Sequence, residues 1–219
     1  MQNFTEPTWT EPDNIETKCE NSLFFTRNPY MLTGLFVQWS RTLFKSPDNI
    51  MNEQLKDYVW DEDYQASRIT IDPSYKHDSK AERRRPAVYI KRGAVSHSTP
   101  GMKGGLQTPH IDDDGFFRGK YMSSILTGSH VFQCIGDTEA EAENIANEVF
   151  HHLMLYGEGL KEASGLGSFW VAGLGETQEA DGGKEYWVCP VNVTWSYTFN
   201  WTLDREAPIL KEIGYITGI

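Results

Sequence analysis

The sequence predicts an α+β fold: a mixed, mostly antiparallel sheet with two main helices packed on one face, plus long loops and an extended N-terminal arm. Three observations predict it. From Val191 to Asp204 the chain alternates without a break. Val191, Val193, Trp195, Tyr197, Phe199, Trp201 and Leu203 are apolar, and Asn192, Thr194, Ser196, Thr198, Asn200, Thr202 and Asp204 between them are small or polar. A period of two is that of a strand with one buried face. Ala142, Ile145, Ala146, Val149, Phe150, Leu153 and Met154 instead recur at helical spacing, and so do Leu32, Leu35, Phe36, Trp39 and Leu43.

The elements follow in order. Residues 1–20 are rich in Thr, Glu and Pro and read as an extended arm ahead of a single domain over 21–219. Asn28 is a candidate N-cap and Pro29 suits a first helical position, so a helix is expected over 29–45. A short helix is expected over Met51–Trp60, and a strand or extended arm at "SRITIDPSY". A strand is expected over Pro86–Arg92, then a long loop at 93–115. "RGKYMSSILTG" and "SHVFQCIGD" read as two strands joined by a tight turn at Thr127-Gly128-Ser129. The strongest helix, 138–156, opens on a capping-box pair, Thr138 and Glu141, with Glu139, Glu141 and Glu143 at the positive end of its dipole. Gly157 suits its C-terminal stop. "SFWVAGLG" and "KEYWVCP" are two strands of a hairpin, the second continuing through Pro190, which marks a kink or an edge.

Composition bounds the function. The 219 residues carry 39% hydrophobic and 13% aromatic side chains, enough for a sizeable core. A formal charge of −11 argues against a tight grip on a phosphate backbone. Cys19, Cys134 and Cys189 are far apart with no CxxC, which fits buried thiols in a reducing compartment. The N-terminus shows no basic and apolar leader pattern, and no run reaches the ~18 apolar residues of a membrane span, so the reading is a soluble protein made in a cytoplasm.

Chemistry-bearing motifs are few. His110-Ile111-Asp112 is an HxD, the core of a two-histidine, one-carboxylate iron site, with His130, His151 or His152 as the third ligand. Such a site belongs to a non-haem iron oxygenase on a jelly-roll barrel. The competing reading of "DDDG" is a solvated turn. His151-His152 reads as a solvated pair at the polar edge of its helix. There is no GxSxG, P-loop or GxGxxG.

What is abundant is interaction surface. "NPYMLTGLFVQWSRTLF", "GSHVFQCIGDTEAEAENIANEVFHHLM" and the closing pair "GSFWVAGLGE" and "EYWVCPVNVTWSYTFN" together resemble the tail terminator proteins of tailed bacteriophages, and more broadly their head–tail joining proteins of the neck. The resemblance implies a structural virion protein made in the host bacterial cytoplasm, with neither enzymatic activity nor cofactor nor metal. It implies a ring, commonly a hexamer, that caps the tail tube, meets sheath and neck connector proteins, and lets DNA pass without sequence-specific binding or membrane contact. On that reading Glu176, Thr177, Gln178, Glu179 and Asp181 form a docking tip, and Thr194, Ser196 and Thr198 face a neighbouring subunit or the lumen. Another neck connector or tail-tube-associated protein is the nearest alternative.

Overall fold

The computed structural model describes residues 29–76, 86–98, 106–111, 117–179 and 186–204. Among these residues seven strands form one sheet: β1 (Thr70–Pro73), β2 (Ala87–Ser98), β3 (Leu106–Ile111), β4 (Phe117–Gly136), β5 (Ser168–Leu174), the two-residue β6 (Gln178–Glu179) and β7 (Trp187–Asp204). The order is β1-β2-β4-β7-β5, with β3 in line with β2 along β4, and β6 in line with β5 along β7. β1 pairs with β2 in parallel, and the other pairs are antiparallel. Helices α1 (Pro29–Leu43) and α2 (Glu139–Ser164) pack on one face. This is the α+β sheet-and-two-helix architecture that the periodicities predict. The expected N-terminal arm lies outside the described residues.

The alternation along β7 does its expected work. Val191, Val193, Trp195 and Tyr197 are buried beneath the helices with Val88, Ile90, Phe132 and Cys134, and they meet Phe36 and Leu32 of α1 and Ile145, Val149 and Leu153 of α2. Cys134 and Cys189 face each other across β4 and β7 as buried free thiols. Burial pushes both thiols up in pKa.

The expected turn at Thr127-Gly128-Ser129 does not form. β4 runs straight through it for 20 residues, and its pairing with β7 holds one register from Gly119–Asp204 to Gly136–Trp187. Gly128 serves close packing instead. A Cβ there would sit 2.3 Å from the buried Trp195 ring, so glycine marks an approach and not a reversal. Nor is 93–115 a continuous loop. β2 extends to Ser98 past a bulge between Arg92 and Val95, and β3 takes up the same edge of β4 at Leu106. Polar residues in "SHS" hid this strand because it lies beyond the helices: β2 is buried from Ala87 to Ile90 and largely exposed from Lys91 on. Backbone pairing carries it there, not apolar burial.

Pro190 neither kinks nor edges the sheet. Gly175 N–H donates to its carbonyl at 2.7 Å, so its backbone faces β5 and its missing N–H costs the β4 ladder nothing.

Helix α1 ends at Leu43, two residues short of the expected limit, and the Met51–Trp60 helix is absent. Two 3-10 turns, Pro47–Asn49 and Glu53–Leu55, stand around that segment. Ser46 and Asn52 accept bonds from Asp48 N–H and Gln54 N–H, closing each turn locally before a longer helix can propagate.

α2 starts as predicted. Thr138 Oγ1 accepts from Glu141 N–H at 3.2 Å, but the Glu141 carboxylate takes the N–H of Asp137 and the hydroxyl of Tyr58. Partly buried and bonded to that carboxylate, the Tyr58 phenol is pushed up to about 12. The helix does not stop at Gly157. It continues to Ser164 and ends at Gly165, whose φ of 64° is left-handed and whose neighbour Leu166 closes onto the Lys161 carbonyl at 3.0 Å. Gly157 lies inside the helix because the Phe169 ring packs over it, 3.2 Å from where a Cβ would stand.

Candidate functional site

The helices cover one face of the sheet, and strand alternation fixes what the other presents. With Val191, Val193, Trp195 and Tyr197 turned to the helices, Asn192, Thr194, Ser196 and Thr198 turn away. The first three are half-buried by their neighbours and Thr198 is exposed. On β5, Phe169 and Val171 pack on the core, so Trp170 between them points to the opposite face, 48% exposed and directly beside Thr194. Ser168 and Ser196 share a 2.6 Å hydrogen bond beside it. Thr194 Oγ1 is buried and has no hydrogen-bond partner among the described residues. Toward the start of β7 the same face carries a small apolar cluster of Ala87, Tyr89, Ile135 and Tyr186, with Val188 against it.

The predicted acidic tip is described only as far as Glu179. Gln178 and Glu179 pair with Val188 and Trp187 as β6, which holds them along the sheet. Glu176, Gln178 and Glu179 are exposed, Thr177 is half-buried near Cys189, and Asp181 lies outside the described residues. Thr194, Ser196 and Thr198 therefore share one surface, while the tip residues border it at the beginning of β7.

Of the candidate iron ligands, His110 and His130 stand far apart. His110 stands on β3 opposite Gly119, and Asp112 lies outside the described residues. His130 is eleven positions further along β4, about 36 Å at the rise of a strand. It is buried in the core, where Nδ1 accepts from Trp195 Nε1–H at 2.9 Å and Nε2 lies 2.9 Å from Thr33 Oγ1. Because an indole nitrogen can only donate, the neutral ring carries its proton on Nε2 and donates to Thr33. His151 is exposed. His152, expected in solvent, is buried and 3.0 Å from the Glu148 carboxylate. Its helix faces are not simply core and solvent: the 47–55 segment covers that edge, and Glu148 also accepts the N–H groups of Met51 at 2.7 Å and Asn52 at 3.1 Å. Among the described residues no three His, Cys, Asp or Glu side chains cluster as a metal site.

No family model and no curated protein matches the chain. The site therefore rests on geometry. Sequence reasoning missed two of its features. Trp170 was legible, since it alternates with Phe169 and Val171, and a tryptophan on the polar parity of a strand is an anomaly. The orphaned Thr194 hydroxyl had no sequence signal, because it depends on what lies across the sheet.

His130 gives the fold a pH response. Burial first, and the nearby Arg92 charge second, lower its pKa from 6.5 to about 4. Between these values the unfolded chain binds a proton that the folded chain refuses. Stability is thus complete above pH 6.5 and falls as the pH drops toward 4, by up to about 3 kcal/mol. Urea unfolding across that range checks this. His130→Gln should be less stable at pH 7 yet show a shallower slope below 6.5, and an unchanged slope would remove His130 as the cause.

Proposed function

We propose that the chain is a structural subunit of a phage virion, a ring-forming tail terminator that caps the tail tube and joins it to the neck. One observation carries the reading. The polar face of the longest strand pair is turned away from the helices and centres on an exposed tryptophan beside a buried hydroxyl that lacks a partner among the described residues. Leaving a buried hydroxyl unpaired costs about 1–3 kcal/mol, which a neighbouring subunit would relieve by supplying the missing group. Tryptophan at the middle of a small-residue surface is the residue type that dominates association energies. The net negative charge suits a conduit that DNA crosses without sticking. Tube, sheath and neck proteins are the partners this reading calls for, and the sheet edge at Glu176 and Glu179 supplies an acidic rim for one of them.

Trp170→Glu tests it. The side chain is outside the core, so thermal unfolding should shift little, within about 0.5 kcal/mol. Native mass spectrometry should nonetheless show the wild-type ring of about six subunits reduced to monomer, as burying a new charge at a contact demands. A wild-type chain that is monomeric at high concentration and on isolated tail tubes alike, or a variant that assembles like wild type, would sink the reading.

A further inference from the structure

The face that carries Trp170 is one patch, and the proposed ring needs two. A closed ring of more than two subunits is held by a heterologous contact, in which one surface of each copy meets a different surface of the next. The second surface has to lie elsewhere on the subunit and has to fit a tryptophan.

One place on the other side of the sheet does. α1, the 48–51 segment and α2 enclose a cavity of about 430 Å³ with apolar walls at Trp39, Leu43, Met51, Leu155 and Tyr156. Pockets that hold organic groups span ~300–1,000 Å³, so an indole fits. Met154, Leu155 and Tyr156 follow one another on α2, and with Met51 across the cavity all four are more than half exposed. Spacing assigns Met154 to the core stripe of the helix, yet it faces outward with its neighbours. Contiguous apolar exposure of this kind marks an interaction site.

The cavity also has a polarity. His152 lines it, and among the described residues its one hydrogen bond runs from Nε2 to the Glu148 carboxylate at 3.0 Å. That carboxylate also accepts the N–H groups of Met51 and Asn52. An ionised carboxylate only accepts, so Nε2 carries the proton of the neutral ring and Nδ1 is left an acceptor. Thr42 and Asn49 spend donors on the carbonyls of Gln38 and Thr42, and the described lining holds no lysine or arginine. What it offers a guest is acceptors, His152 Nδ1 and the Asp48 carboxylate. Trp170 is the complement. Its indole N–H can only donate, and it has no hydrogen-bond partner among the described residues.

We infer that Trp170 of one subunit inserts into this cavity of the next, with its ring against Leu155 and Tyr156 and its N–H donating to His152 Nδ1. Trp170 turns away from the helices and the cavity lies among them, so the contact runs head to tail, as a ring requires. Donor against acceptor fixes the register of the two copies. Glu148 holds the tautomer that makes Nδ1 an acceptor. The inference rests on the ring reading and names the surface that receives Trp170.

Leu155→Glu tests it by native mass spectrometry on the full chain. Leu155 is exposed, so thermal unfolding should match wild type while subunit association weakens at least ~30-fold, the loss of a hot-spot contact. Met51→Glu on the opposite wall repeats the test should the first variant misfold. The deciding arm mixes two defective variants. Trp170→Glu keeps the cavity and Leu155→Glu keeps the tryptophan, so an equimolar mixture should form one-to-one dimers and nothing larger, because each dimer has one sound contact and two spoiled ends. In that dimer the Trp170 indole N–H should exchange more slowly than in the Leu155→Glu monomer. If Leu155→Glu and Met51→Glu both build the wild-type ring, the cavity has another occupant and the inference falls while the ring reading stands. A mixture of folded variants that stays monomeric, or that grows past dimers, overturns it as well. A wild-type chain that never assembles, free or on isolated tail tubes, overturns both.

Discussion

Gly128→Ala is expected to destabilise the fold by about 3 kcal/mol, the upper end of what overpacking a core costs. The added methyl would lie 2.3 Å from the Trp195 ring, and that ring has nowhere to go. It is fully buried, stacked on Tyr197 with ring centroids 5.7 Å apart, and tied through Nε1–H to His130, which is tied in turn to Thr33 of α1. Moving the indole breaks this chain or pushes the helix. Backbone strain is not the cause, because positive φ among the described residues is confined to Gly165 and Gly173. The distinction is measurable by urea unfolding in a double-mutant cycle. Trp195→Leu is costly alone, yet alanine at 128 should add far less on that background. Full additivity would mean that Gly128 answers to the backbone and not to the ring.

The second large effect is expected at Glu148. Glu148→Ala should cost about 3–5 kcal/mol, as removal of one member of a buried, hydrogen-bonded charged group does. Its carboxylate is 3% exposed and accepts from the backbone of Met51 and Asn52 and from His152. Those bonds pin the 47–55 segment, with Ile50 and Leu55, onto α2. Glu148→Gln keeps an acceptor and should recover part of the loss. Denaturant midpoints give the size of the effect, and exchange at the Met51 and Asn52 amides shows where it acts. Loss of stability without faster exchange there would count against the clamp.

These two residues also show why parts of the molecule were legible in sequence and others were not. β7 and α2 were readable because each buries one regular face, and a regular face writes a period into the chain. Their sheet-and-helix arrangement followed. Gly128 was misread because a glycine between strand-like runs has the same spelling whether it turns the chain or admits a ring from 67 residues away. Gly157 failed for the same reason, with Phe169 as the visitor. Glu148 and His152 looked like the polar side of an amphipathic helix, and only the 47–55 segment, which has no period of its own, reveals that this side is covered. The end of β2 has little buried side chain to betray it. Of the surface, the Thr194, Ser196 and Thr198 row was legible from alternation, whereas its unsatisfied hydroxyl and the pairing of Gln178 and Glu179 as β6 required coordinates.

The unshifted ladder between β4 and β7 also bears on how the molecule assembles in time. Its partners lie fifty-one residues apart at Gly136–Trp187 and eighty-five apart at Gly119–Asp204, and α2 and β5 occupy the shorter interval. Once α2 has docked on the sheet, the near end is closed at little further entropic cost, and each successive pair needs only the one before it. With no bulge to resynchronise the strands, an error of register at the near end would be carried through the whole ladder. Counted from Gly136–Trp187, Cys134–Cys189 lies near the start of the ladder and Gly128–Trp195 at its middle. A slip of register would set a side chain against the Trp195 ring where Gly128 now admits it, so the close fit disfavours a misregistered ladder.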